Sequence, residues 1–148
     1  MKKQTKLINA GRNPEANFGI VNPPVYHAST VLFPTVEALE QGTANRYEGV
    51  YYGLNGTPTT FALQEAIAEL EGYPHCVAVP SGLAAICAAL LAFLEKGDHL
   101  LMVDSVYGPT RRFCDGMLKR FGIETTYYDP MIGASIAEIM RSETKVVF

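Results

Sequence analysis

From Thr57 to the last residue, segments of helical length alternate with short strand-like runs, and this alternation limits the possible folds more than any other feature. Thr57 is suited to cap a helix with Pro58 at its first position. Leu63, Ala66, Ile67 and Leu70 then form an apolar stripe at helical spacing, and Gly72 ends it. Cys76 to Val79 reads as a short buried strand, broken by Pro80-Ser81-Gly82. Leu83 to Glu95 reads as a helix apolar on nearly every face, closed by Lys96-Gly97. Such a helix has to be covered on all sides, which predicts a central element. His99 to Val103 is the next strand and Asp104 to Pro109 a loop. Thr110 to Phe121 is an amphipathic helix ended by Gly122, and Ile123 to Tyr128 is a strand. Ile136 to Arg141 lies in a further helix, and Lys145 to Phe148 starts a last strand. Crossovers of this length join parallel strands, so the order predicts an α/β domain with a mainly parallel sheet and flanking helices.

The first 58 residues follow no such period. Gly, Pro and Asn recur from Gly11 to Pro24, and only Val36 to Gln41 reads as a helix, with Gly42 stopping it. Residues 1–58 are expected to form an extended arm that lies on another surface, such as a neighbouring subunit. Residues 59–148 are expected to be the first half of an α/β domain. The chain stops at Val146-Val147-Phe148, inside a strand pattern with no turn or polar tail, which predicts truncation of a longer protein.

Composition narrows the function classes. Of 148 residues 48% are hydrophobic and 18% charged, a globular balance. The net charge of −3 comes from 12 basic and 15 acidic side chains without long runs, which argues against a nucleic-acid or membrane-surface partner. Cys76, Cys87 and Cys114 are odd in number, far apart and set in apolar stretches, so they read as reduced core residues. His27, His75 and His99 share no ligand spacing, and no metal is expected. Met1-Lys2-Lys3 is followed by no signal-peptide core, and Leu83 to Leu94 is shorter than the roughly 20 residues that span a bilayer. A cytoplasmic location is the expectation.

Open parallel sheets bind ligands at the carboxyl ends of their strands, and two loops there carry usable chemistry. Pro80-Ser81-Gly82-Leu83 offers a hydroxyl, a glycine and the free amides of a helix start, which suit a phosphate. It also reads as a plain helix cap. Tyr107, beside Gly108-Pro109, can stack on a flat cofactor or simply close over the sheet edge. Dinucleotide binding has no support, since neither GxGxxG after a strand nor GxxxxGK[ST] occurs.

Four ordered segments make the pattern specific: Pro23-Pro24-Val25-Tyr26-His27-Ala28-Ser29-Thr30, Tyr52-Gly53-Leu54-Asn55-Gly56-Thr57-Pro58-Thr59, Ser81-Gly82-Leu83-Ala84-Ala85 and Tyr107-Gly108-Pro109. Together they resemble the Cys/Met-metabolism enzymes that depend on pyridoxal 5'-phosphate (PLP), over essentially the whole chain. Gly56-Thr57-Pro58-Thr59 and Tyr107-Gly108-Pro109 look more like the β-lyase branch than the γ-acting one.

The resemblance implies the aspartate-aminotransferase-like fold (fold type I), cut short here. It implies that Ser81 and the amides of Gly82 and Leu83 hold the PLP phosphate. Tyr107 would stack on the pyridine ring and assist proton handling, and Tyr52 would reach the phosphate of the adjacent subunit's cofactor. The implied activity is a carbon–sulfur lyase of methionine biosynthesis that opens cystathionine to homocysteine, pyruvate and ammonia. It would act as a homo-oligomer, a dimer or tetramer, on a small amino-acid substrate. A γ-acting relative and a non-catalytic binding or assembly module are the alternatives.

Two departures stand against the family pattern. Leu54 occupies the place of an arginine, whose charge-assisted bond is worth about 1.5–3 kcal/mol. Either another cation such as Arg46 replaces it, or phosphate is held less tightly. The Schiff-base lysine on which PLP chemistry depends has no counterpart among Lys2, Lys3, Lys6, Lys96, Lys119 and Lys145. Ser142-Glu143-Thr144-Lys145 matches the family's S-x-T-K lysine motif only superficially, because it enters a strand at the edge opposite the candidate loops. The fragment alone is expected to be inactive.

Overall fold

A computed structural model describes residues 3–46 and 49–148, which group into two compact units, 1–78 and 79–148. Met1 and Lys2 of the basic start lie outside the described residues.

The second unit is built on strand β1 (His99–Val103). It pairs in parallel with β2 (Glu124–Tyr128) on one side and β3 (Thr144–Val147) on the other, giving the order β2-β1-β3. Flanked on both sides, β1 has its first four residues buried, which is why it is a continuous apolar run after its histidine. Leu100 and Met102 point to the same side by strand alternation. They join Leu90 of helix α4 (Gly82–Phe93), its C-cap Leu94, and Cys114, Leu118 and Ile123 in one core. Truncating a leucine in such a core costs about 2–5 kcal/mol, so this cluster holds the helices to the sheet. Helix α5 (Gly108–Phe113) belongs to the same layer and continues as a π-helical turn, Cys114–Leu118. The sequence pattern indicates the helix but not its wider turn.

At the far end of α4 the chain reverses through residues 94–98. Gly97 (φ +98) donates its N–H to Gly122 O at 2.9 Å, and Asp98 Oδ2 accepts from Glu95 N at 2.8 Å. This turn joins α4 to β1.

Three expectations are corrected here. Cys76 to Val79 forms no strand, and Val77 is 78% exposed. A strand exists through its ladder bonds, and no described segment pairs with these residues. Helix α4 is not covered on all sides: its core face ends with Leu90, while Leu91 and Phe93 are exposed. The segment read as helical from Ile136 is a 3₁₀ stretch, Gly133–Ile139. Of the cysteines, Cys114 is buried, whereas Cys76 and Cys87 are half-buried.

The first unit contains α1 (Lys3–Asn9), α2 (Val36–Ala44) and α3 (Pro58–Glu71). Helix α1, absent from the sequence reading, packs on α3. At its end Gly11 (φ +67) is where a Cβ would come within 2.1 Å of Ala62 O, so only glycine lets the chain pass. Gly42 lies inside α2 instead of ending it, because a Cβ there would meet the Phe33 ring at 2.7 Å. Helix α3 begins as expected: Thr57 N donates to Thr60 Oγ1 at 2.8 Å, and Gly72 (φ +75) closes it. Among the described residues of this unit only Gly56, Thr57 and Ala68 are buried. No described helix is long and apolar enough to cross a membrane.

His99, buried in β1, joins all three strands. Its Nδ1 lies 2.8 Å from Thr144 Oγ1 of β3 and its Nε2 2.8 Å from Thr126 Oγ1 of β2. Burial lowers its pKa first, and Arg141 adds to this against the opposing pull of Glu124 and Glu143. The unfolded chain therefore takes up this proton at higher pH than the folded one, and stability is lost as pH falls below about 6.5. Urea unfolding at pH 7.5 and 5.5 is expected to show lower stability at 5.5, with the difference reduced in His99→Gln. An equal difference in both proteins would contradict this assignment.

Candidate active site

The start of α4 is shaped by Ser81, whose extended backbone (φ −159, ψ 160) places it outside the helix as its cap. Ser81 Oγ accepts from Ala84 N at 3.1 Å, and its carbonyl accepts from Ala85 N at 3.0 Å. The N–H groups of Gly82 and Leu83 precede that first helical bond and have no acceptor within the helix. A Cβ built on Gly82 would meet nothing within 4 Å, so the space beside it is open.

Tyr107 ends the turn that leaves β1. Its carbonyl accepts from Thr110 N at 2.9 Å and Arg111 N at 3.2 Å, and its side chain is 63% exposed. Asp104 N donates to Tyr128 O at 2.8 Å, Val106 N donates to Val103 O at 3.1 Å, and Val106 packs against the core. Ile86, one turn into α4, and Val106, next to Tyr107, pack against the same core.

A polar network behind this turn was not foreseen. Arg111 Nη2 donates to Asp104 O and Asp104 Oδ1, each at 2.6 Å, and its guanidinium carbon is 3.8 Å from the centre of the Tyr127 ring. Tyr127 Oη donates to Asp115 Oδ1 at 2.7 Å. Burial first, then this bond, raises the Tyr127 pKa, while burial and the neighbouring Asp115 push the Cys114 thiol up to about 11. Both therefore stay protonated at neutral pH, and Cys114 is a core residue, not a nucleophile. No local sequence signal singles out Arg111, because the Tyr127 ring that it faces lies in β2.

Tyr52 belongs to the first unit. It forms a bridge with Thr30, and Gly53 N donates to Ser29 O at 2.7 Å. A Cβ on Gly53 would sit 1.8 Å from Ala28 O, which requires glycine. Thr59 completes the junction: its hydroxyl donates to Pro24 O at 2.7 Å and accepts from Tyr26 N at 2.8 Å. Two separate sequence motifs thus become one interlocked turn. A cleft of about 710 Å³ in this unit, lined by Leu54, Phe61, Ala68 and residues 74–78, contains none of the candidate side chains.

Lys145 is exposed and follows Thr144, the partner of His99 at the start of β1. It lies at the amino edge, opposite Tyr107.

Residues 4–148 match the family described as Cys/Met metabolism PLP-dependent enzymes. The chain belongs to this family. It is 54% identical to a Rhizobium johnstonii protein provisionally named a cystathionine beta-lyase, over 97% of this chain and 35% of that one. It is 44% identical to cystathionine beta-lyase MetC of Escherichia coli, over 99% of this chain and 38% of that one. A solved cystathionine gamma-lyase from Lactobacillus plantarum, complexed with L-serine, superposes with a TM-score of 0.85 at 32% identity, covering 99% of this chain and 36% of that one. The chain therefore spans little more than a third of these relatives, and its fold is the corresponding part of fold type I.

The residues present fit the phosphate end of PLP: a serine hydroxyl, two uncommitted amides and open space at Gly82. Leu54, at the position where the resemblance implies an arginine, is 88% exposed.

Thr59→Val removes both bonds that lock the two motifs. It is expected to destabilise the first unit by about 1–3 kcal/mol in chemical denaturation. A change below about 0.3 kcal/mol would show that the junction does not depend on this hydroxyl.

Proposed function

We propose that the whole protein is a PLP-dependent cystathionine β-lyase. The observation that carries this reading is the family match over residues 4–148, supported by the capped helix start at Ser81 and the exposed Tyr107 ring. Ser81 and the amides of Gly82 and Leu83 bind the phosphate, with the helix dipole adding about 0.3–1 kcal/mol. Tyr107 covers the pyridine ring, excludes water from one face and passes a proton at its hydroxyl. Tyr52 reaches the phosphate at the adjacent subunit, with residues 1–58 as the arm that carries it there. Residues 59–148 are the first half of the PLP-binding domain.

Bound PLP supplies an electron sink for the bonds that break at the substrate's α- and β-carbons. Loss of the α-proton followed by cleavage of the β-carbon–sulfur bond releases homocysteine, and hydrolysis of the remaining three-carbon fragment gives pyruvate and ammonia. The lysine that removes the α-proton is none of the six in this chain. The reading includes a cytoplasmic homotetramer in methionine biosynthesis. The names of the Rhizobium and E. coli relatives support β-cleavage, and likeness to the Lactobacillus plantarum γ-lyase favours γ-cleavage as the second reading.

Products decide between them. The full-length protein supplied with PLP and cystathionine is expected to release pyruvate and homocysteine. Release of 2-oxobutyrate and cysteine would replace β-cleavage with γ-cleavage, and no turnover would favour a binding module. Residues 1–148 alone are expected to give no product, so turnover by them would contradict the missing lysine.

A further inference from the structure

Arg111 closes both ends of the turn that presents Tyr107. Its backbone N–H donates to Tyr107 O at 3.2 Å, while its side chain holds the carbonyl and carboxylate of Asp104, the residue that leaves β1. The guanidinium is itself fixed. It lies 3.8 Å from the Tyr127 ring centre, and that ring is anchored by its hydroxyl on Asp115. A planar cation with a fixed face and two aligned acceptors can take few orientations. Holding α5 in place would not need this arrangement, since Thr110 and the C-cap Cys114 are already buried. What the contacts determine is the path of residues 104–107.

We propose that Arg111 is a positioning residue: it sets the Asp104–Tyr107 turn and thereby aims the Tyr107 ring at the pyridine ring of the cofactor. This rests on the assignment of Tyr107 as the stacking residue. Asp115 and Tyr127 act one step further back, by orienting the guanidinium.

The 148-residue chain can be titrated with pyridoxamine 5'-phosphate, followed by the ligand's fluorescence anisotropy. This probe has the ring and phosphate but no aldehyde, so it forms no bond to surface lysines. Tyr107→Ala is expected to weaken binding about 3- to 10-fold, the range of an aromatic stacking contact. Arg111→Met should weaken it by a similar factor, yet change it less than about twofold in the Tyr107→Ala background, because the two act through one ring. Arg111→Lys should restore part of the loss. Asp104→Asn removes the opposite charge from a mostly exposed side chain and should mimic Arg111→Met, which keeps the test open if Arg111→Met unfolds.

Unchanged binding in both Arg111→Met and Asp104→Asn would overturn the proposal. So would an Arg111 effect that adds fully to that of Tyr107→Ala, which would mark a merely structural role. If Tyr107→Ala binds like the unmodified chain, or the unmodified chain does not bind, the assignment of Tyr107 fails first. The role of Arg111 then falls with it.

Discussion

Strand β1 has a hydrogen-bonded neighbour on each edge and is buried over its first four residues, and the second unit is organised around that condition. A strand so enclosed can carry few polar groups. Its one histidine is accommodated because threonine hydroxyls from both neighbouring strands meet its two ring nitrogens. The result is a polar tie across three strands at the amino edge, with the apolar side chains Leu100 and Met102 holding α4 beyond it.

Parallel pairing then separates the two edges of the sheet by task. Tight reversals collect at the amino edge, where Gly97 and Gly122 share a backbone bond and Lys96 and Lys145 are exposed. At the carboxyl edge the chain leaves β1 through Asp104–Tyr107. The proposed site draws on that edge, with the Tyr107 ring exposed beyond the end of β1. Lys145, despite its motif-like neighbours, enters β3 beside the start of β1 and so lies at the opposite edge from Tyr107.

Much of this was legible in the sequence because local signals were strong. The Thr57-Pro58 start and Gly72 stop of α3, the β1 run and the Gly122 stop all carry physical markers that tertiary structure did not override. Cys76–Val79 misled because an apolar run states only that a strand is possible, while pairing needs a partner that the described residues do not provide. Gly42 misled for the opposite reason: it is small to admit Phe33, not to end a helix. The Ser81 and Tyr107 positions could be named from loop chemistry and resemblance. Arg111 could not, because its side-chain partners, Asp104 after β1 and Tyr127 in β2, meet it only after folding.

The central claim is that one sheet edge grips both ends of a phosphorylated aromatic ring. Its most direct measurement is a two-dimensional NMR titration of the isotope-labelled chain with pyridoxamine 5'-phosphate. The account predicts that the largest amide shifts fall on Gly82 and Leu83, with the Tyr107 ring resonances moving at the same ligand concentrations. Shifts confined to other residues, or movement of Tyr107 without Gly82 and Leu83, would contradict it.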